Sequence, residues 1–125
     1  SHYYAELSYD DVELMARVVM SEAGGQSMEC KEAVAQVLLN RLVSDRYPGY
    51  MFKVVDGQFS TADNGYPNDE CYQAVLDALE HFGTEEQLLP GCCYYFRAGH
   101  YHKWALNYRK IDDLYFSLPK TAIID

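Results

Sequence analysis

The segment Ala33-Val34-Ala35-Gln36-Val37-Leu38-Leu39 is apolar on most of its faces and contains no Gly or Pro. Read at helical spacing, it leaves no broad polar side for solvent. Such a helix belongs at the centre of a fold, because each face it turns outward needs an apolar partner. Everything else in the chain has to be arranged around it. Ser27 or Met28 opens this helix, which runs to about Leu42 or Val43. Pro48-Gly49 then breaks the chain.

The flanking segments supply the packing partners. Val12, Met15, Ala16, Val19, Met20 and Ala23 recur at the period of an amphipathic helix. Ser8 is its N-cap, with Asp10 and Asp11 in the first turn. Gly24-Gly25 end it. A third helix is expected from an N-cap at Asn68 or Asp69 to Gly83, with Cys71, Val75, Ala78, Leu79 and Phe82 as its stripe. Residues 50–69 show no strong helical pattern and read as loop with short extended pieces. After Pro90-Gly91, Cys92 to Arg97 reads as a strand. Ile111 and Tyr115-Phe116 mark another extended segment in the tail. The expected fold class is α+β, mainly helical with a small β-sheet lobe, and clefts form readily between two such lobes. With 125 residues, the chain is read as a single domain, 1–125. That length buries a core without disulfide or metal staples.

Charge narrows the partners. Ten basic against 19 acidic residues give a net charge of -9. Nucleic acid is not an expected partner, since phosphate binding needs a basic face. No apolar run approaches the ~20 residues of a membrane span, so no membrane insertion is expected. The chain begins Ser1-His2 without Met or export signal, which reads as an excised domain. It has 12 Tyr against 5 Phe and 1 Trp. Tyr suits half-buried grooves, where the ring stacks and the hydroxyl hydrogen-bonds, and sugars and peptides fit such grooves. A Tyr-rich surface accounts for the same count.

Cys30, Cys71, Cys92 and Cys93 form neither a CxxC pair nor a zinc-finger pattern, and a bridge between adjacent cysteines is strained. Free thiols are expected. His100-Tyr101-His102 puts two imidazoles on one side of an extended segment, but lacks metal-ligand spacing. Neither metal nor cofactor is expected. A Cys30 or Cys71 nucleophile with His100 as base is disfavoured, because both thiols fall on apolar helix faces.

Glu22 is harder to explain as structure. It flanks the apolar stripe of the first helix and lies in the last turn, just before Gly24-Gly25. Partial desolvation and the negative end of a helix both disfavour its charged form. A carboxyl held protonated near neutral pH is what a glycosidic general acid requires. Position alone leaves two readings, a solvated helix-end Glu and a general acid. The loop Gly57-Gln58-Phe59-Ser60-Thr61-Ala62-Asp63-Asn64-Gly65 gathers amide, hydroxyl and carboxyl groups around one aromatic. It reads as a ligand-positioning loop or as an ordinary turn.

Several of these pieces occur together in an order that resembles the SleB-type cell-wall hydrolase family. The resemblance rests on Leu14-Met15-Ala16-Arg17-Val18-Val19, Ser21-Glu22-Ala23-Gly24-Gly25 and Ala33 to Leu39 with Asn40-Arg41. It continues through Gln58-Phe59-Ser60, Ala74-Val75 with Ala78-Leu79, Tyr94-Tyr95-Phe96 and Lys103-Trp104. What it implies is a lysozyme-like fold that cuts peptidoglycan glycan strands between N-acetylmuramic acid and N-acetylglucosamine. Family members look like lytic transglycosylases, which leave a 1,6-anhydromuramic end. The family's catalytic glutamate maps onto Glu22. Gln58, Phe59, Ser60, Thr61, Tyr95 and Trp104 would hold the sugar. The resemblance also implies an extracytoplasmic place of action, on cell wall or spore cortex, and a monomer is expected. Gly24 and Gln26 stand where the family often has Arg and a second Glu. Ile111-Asp112-Asp113-Leu114-Tyr115-Phe116 stands where the family tends to have Ile-Gly-x-His-x-Phe. A hydrolytic route needs a second carboxylate, for which Asp63, Asp69 or Asp112 is available. The alternatives are a zinc amidase using His100 and His102, and a wall-binding module without activity.

Overall fold

A computed structural model describes residues 7–61 and 66–122. Helix α1 spans Tyr9–Ala23. Its N-cap is Ser8, whose side chain accepts from Asp11 N–H while the Asp11 carboxylate accepts from Ser8 N–H. That reciprocal box satisfies otherwise orphaned donors at the helix start. Helix α2 spans Met28–Val43, with Ser27 accepting from Cys30 N–H. Helix α3 is a short piece, Met51–Val55, in the stretch expected to be loop and extended chain. Met51, Val54 and Val55 are buried there, so tertiary packing stabilises a helix too short to persist alone. Helix α4 spans Asp69–His81, capped by Asn68.

Helix α2 is the centre of the molecule. It packs against α1, α3 and α4. Cys30, Ala33, Val34, Ala35, Val37, Leu38, Leu39 and Leu42 are all buried. The burial of a Leu or Val side chain contributes about 1.5–3 kcal/mol, so this helix dominates the core. Its buried face also carries Lys31, Gln36, Asn40 and Arg41.

The second lobe is an antiparallel sheet of β1 (Tyr95–Ala98), β2 (Leu106–Ile111) and β3 (Leu114–Leu118), in the order β1-β3-β2. Leu114, Phe116 and Leu118 are buried and join the helical core. The tail therefore forms a β2–β3 hairpin rather than one extended segment. Asp112, at its tip, has φ 50, a left-handed conformation that Asp tolerates better than most residues. Its carboxylate accepts from Ser27 N–H at 2.8 Å, at the start of α2. Gln26 donates to Asp113 Oδ2 and accepts from Asp113 N–H. A Glu at position 26 would set carboxylate against carboxylate here.

The strand expected from Cys92 begins only at Tyr95. Residues 89–94 cross the buried face of α2 without a neighbouring strand. Buried carbonyls need donors, and α2 supplies them. Gln36 Nε2 donates to Leu89 O at 2.7 Å, and Leu89 N–H donates back to Gln36 Oε1 at 2.8 Å. Asn40 Nδ2 reaches Pro90 O at 3.0 Å and Cys93 O at 2.9 Å. Arg41 donates through Nε and Nη2 to Tyr94 O, at 2.9 and 2.6 Å. All four cysteines are free thiols. Burial pushes the Cys30 and Cys93 thiols up to about 12, which removes Cys30 as a nucleophile at neutral pH. Among the described residues, no helix is long and apolar enough to cross a membrane.

Two outcomes are expected. Asn40→Ala strands Cys93 O, while Pro90 O keeps Cys93 N–H, and should cost about 1–3 kcal/mol in urea unfolding, the range for one unsatisfied buried group. Gln73→Ala, which removes an exposed bond to Asp77, should change stability by less than about 0.5 kcal/mol. His81 ends α4 and pairs with Glu32 of α2 at 2.8 Å. That hydrogen bond raises the His81 pKa above its ordinary 6.5. The stabilisation is therefore full below pH 6.5 and lost as pH rises through the raised value. The Tm gap between the parent chain and His81→Gln should be wide below pH 6.5 and close as pH rises through the raised His81 value.

Candidate active site

A cleft of about 320 Å³ opens between the helical lobe and the sheet. Its lining includes Glu22, Arg41, Tyr47, Gln58, Phe59, Tyr95, Phe96, His102 and Trp104. Glu22 enters from the last turn of α1, where the helix carries no basic residue. It is partly buried, and its Oε2 accepts from Ser60 N–H at 3.2 Å. That bond fixes the carboxyl group against the loop after α3. Gly57 has φ 73, a left-handed turn that favours glycine, and it folds Gln58-Phe59-Ser60 back over α1. Phe59 N–H and Gln58 N–H both bond Val55 O, which anchors the reversal to α3.

The opposite wall is aromatic. Tyr95, the first residue of β1, follows directly on the carbonyl held by Arg41. Its ring meets Trp104 edge-on at 4.8 Å between centroids. His102 lies against Trp104 at 4.4 Å. Phe59 stacks on Phe96 at 5.6 Å, and Phe96 meets the buried Phe116 at the same distance. The cleft floor is thus continuous with the core. Trp104 lines the cleft and stays 57% exposed. Tyr47 shares a hydrogen bond with Tyr95, and burial first of all pushes the Tyr47 phenol up to about 12. Tyr47 is therefore protonated at neutral pH.

Of the residues singled out from sequence, Glu22, Gln58, Phe59, Tyr95 and Trp104 meet around this cleft. Ser60 joins through its backbone N–H. Thr61 does not line the cleft. Asp63 lies outside the described residues. Asp112 is spent on the hairpin contact with Ser27, whose hydrogen bonds hold its carboxyl below the usual carboxylate range. Asp69 opens α4, away from the lining. Arg41, Tyr47, Phe96 and His102 were not identified as site residues from sequence. Asn40-Arg41 had stood out only as a motif, and His102 only as a possible ligand.

His102 Nε2 faces Phe96 O at 3.4 Å, and His100 Nδ1 faces Tyr101 O at 2.9 Å. A carbonyl can only accept, so these nitrogens carry hydrogen. Burial, ahead of other causes, lowers the His102 pKa and keeps the ring neutral at pH 7. Among the described residues, no group of three or more His, Cys, Asp or Glu is placed to hold a metal ion. A second hollow of about 320 Å³, beside α1 and α3, is lined by Asp10, Asp11, Glu13, Leu14, Arg17 and Phe52. It contains none of the expected site residues.

Comparison with known proteins places this arrangement. A family profile described as Cell Wall Hydrolase matches residues 25–117, a stretch that begins just after Glu22. The spore cortex-lytic enzyme of Oceanobacillus iheyensis is 38% identical over 99 residues, covering 71% of this chain and 33% of that protein. The spore cortex-lytic enzyme of Bacillus subtilis is 36% identical over 99 residues, covering 71% and 30%. The chain thus spans about a third of the length of these relatives. The solved catalytic domain of the Bacillus cereus SleB protein superposes with a TM-score of 0.72 at 27% identity, over 88% of this chain and 91% of that one. The catalytic domain of the germination-specific lytic transglycosylase SleB from Bacillus anthracis gives 0.73 at 25% identity, over 90% and 97%. With a family profile spanning most of its length, and with an α+β fold shared with solved SleB catalytic domains, this chain belongs to the cell wall hydrolase family.

Proposed function

We propose that the chain cleaves peptidoglycan glycan strands between N-acetylmuramic acid and N-acetylglucosamine as a lytic transglycosylase, with Glu22 as the proton-transfer group. The observation that carries this reading is a single carboxyl group among the described lining residues, set in a cleft walled by aromatic rings. The relatives' names, spore cortex-lytic enzyme and lytic transglycosylase, support it. Their site of action supports an extracytoplasmic role on cortex or wall peptidoglycan for this chain.

In the first step, Glu22 donates its proton to the glycosidic oxygen as the bond to muramic C1 breaks. The sugar passes through an oxocarbenium-like state. In the second step, the Glu22 carboxylate takes the proton from the muramic 6-hydroxyl while O6 bonds to C1. The anhydro ring closes, and Glu22 regains its proton. One carboxyl group thus works twice, and no water enters the product. Hydrolysis would need a second carboxylate across the bond. Ser60 N–H orients the Glu22 carboxyl group, Trp104 and Tyr95 offer ring surface to the sugars, and Gln58 and Tyr47 offer hydrogen-bond donors. His102 is neutral and carries no metal role in this reading.

Glu22→Gln keeps an acceptor for Ser60 N–H but cannot move a proton. It should lose at least ~10²–10⁴-fold in clearing a peptidoglycan suspension, with an unchanged circular dichroism spectrum and equal or slightly higher stability. Mass spectrometry of the parent chain's products should show anhydromuramic ends. A folded Glu22→Gln chain with near-parental activity would place the acid elsewhere. Reducing muramic ends would replace transglycosylation by hydrolysis, and released peptides would indicate an amidase.

A further inference from the structure

His102 lines the same cleft as Glu22, on the wall built by the sheet lobe. Its two ring nitrogens have different surroundings. Nε2 faces Phe96 O at 3.4 Å. A carbonyl only accepts, so Nε2 carries the hydrogen, and in the neutral ring Nδ1 is then a bare lone pair. Nδ1 has no hydrogen-bond partner among the described residues. It is not sealed in the interior either, because Ser117 Oγ alone among them is a buried side-chain polar atom without a partner. The ring is held by Trp104, at 4.4 Å between centroids, and meets Tyr95 edge-on at 6.4 Å. A fixed ring with one nitrogen tied back presents the other to the cleft as an acceptor.

The other polar groups on these walls do different work. Arg41 and the Trp104 indole can only donate. Glu22 accepts from Ser60 N–H and is committed to proton transfer. Gln58 Oε1, the hydroxyls of Tyr47 and Tyr95, and His102 Nδ1 remain as acceptors. Of these, only Nδ1 loses that capacity to a proton at mildly acid pH. Uncharged amino sugars bring donors to such a wall, in their ring hydroxyls and acetamido N–H. A phenyl ring would pack on Trp104 as well as an imidazole does, so packing alone does not account for the nitrogen.

We propose that His102 Nδ1 is a recognition atom of the glycan site, accepting a hydrogen bond from a hydroxyl or acetamido N–H of an uncharged N-acetylhexosamine, and that acid releases the sugar by protonating this nitrogen. This deepens the reading of the cleft as the glycan-cleaving site and rests on it. Burial first, then Arg97 of β1 and His100 of the same loop, hold the ring neutral against the pull of Phe96 O, so it titrates below the ordinary 6.5. Glu22 of α1, Arg41 of α2, Tyr47 and Tyr95 share the cleft with it. The one-carboxyl reaction starts from protonated Glu22 and uses no second carboxylate. Lowering the pH therefore removes no other group that it needs, and the acid limb of the pH–rate profile belongs to His102.

Imidazole nitrogen NMR of the folded chain, with His102 assigned from His102→Asn, reads tautomer and titration together. Nδ1 should be unprotonated at pH 7. The uncharged probe is the disaccharide of N-acetylglucosamine on N-acetylmuramic acid N-methylamide, which has no muramic-to-glucosamine bond to cleave. At saturation it should lower the His102 titration by about 1 pH unit, the linkage equivalent of about 10-fold weaker binding to the imidazolium. A proton on Nδ1, no binding of the disaccharide, or a titration that the bound disaccharide leaves unmoved overturns the proposal. Kinetics on soluble glycan strands then separate recognition from support. Asn sets an amide oxygen where Nδ1 lies, whereas Gln sets its amide where Nε2 lies. His102→Phe should raise KM about 3–10-fold at pH 7, with kcat little changed. His102→Asn should recover most of that loss and abolish the acid limb. Recovery in His102→Gln but not in His102→Asn would reduce His102 to a support for Phe96 O and overturn the proposal. A parent chain that releases no anhydromuramic ends yet shows the disaccharide-linked shift would remove the catalytic reading and keep the recognition.

Discussion

The buried polar edge of α2 is the constraint on which the rest of the structure depends. Residues 89–94 carry the chain from the helical lobe to the sheet with Leu89, Cys93 and Tyr94 buried, and they pair with no strand. Gln36, Asn40 and Arg41 take the place of that missing strand. Their geometry fixes where Tyr94 ends and Tyr95 begins, and so where β1 starts. A helix that was apolar throughout would pack as well against α1 and α4. It would leave Cys93 O and Tyr94 O without donors, at about 1–3 kcal/mol each, while Leu89 O and Pro90 O would keep Gln87 Nε2 and Cys93 N–H.

The same edge builds one wall of the cleft. Arg41 holds Tyr94 O with one side of its guanidinium and lies against Tyr47 and Phe59 with its faces. Tyr94 in turn donates from its hydroxyl to Ser44, just past the end of α2. The other wall comes from the end of α1 and the loop after α3, joined by the Glu22–Ser60 bond. The stacked series Phe59, Phe96 and Phe116 runs from cleft to core. Rigidity at the cleft is therefore inherited from packing.

The sheet is tied to the helices at its far end too. Asp112 accepts from Ser27 N–H at the start of α2, and Gln26 and Asp113 form a reciprocal pair. Two departures from the family pattern meet at this contact. Gln at position 26 and Asp at the hairpin tip satisfy one another, where a Glu at position 26 would face like charge. The missing histidine of that pattern corresponds to Leu114, which is buried in the core and is not among the residues lining the cleft.

Local pattern was enough to locate the main helices. Ser8, Ser27 and Asn68 cap them as their side chains and spacing dictate, and the all-round apolar stretch at 33–39 forms the central helix. Glu22 was legible for the same reason. A carboxylate at a helix C-terminus beside an apolar stripe contradicts local preference, and such contradictions point to a cleft. The one-turn α3, the late start of β1 and the β2–β3 hairpin were not legible. The first two are stabilised by partners distant in sequence, and the hairpin, though its pairing is local, is docked by Asp112 and Asp113 onto the start of α2. The same holds for Arg41 and Tyr47. Asn40-Arg41 reads in sequence as the polar end of an apolar helix, and only the passage of residues 89–94 beside it gives those side chains their work. The sequence by itself determined the helical frame and the exceptional carboxyl group, through capping and periodicity. The tertiary structure decided which rings and which cation surround that group, because burial and hydrogen bonding act between segments about fifty residues apart.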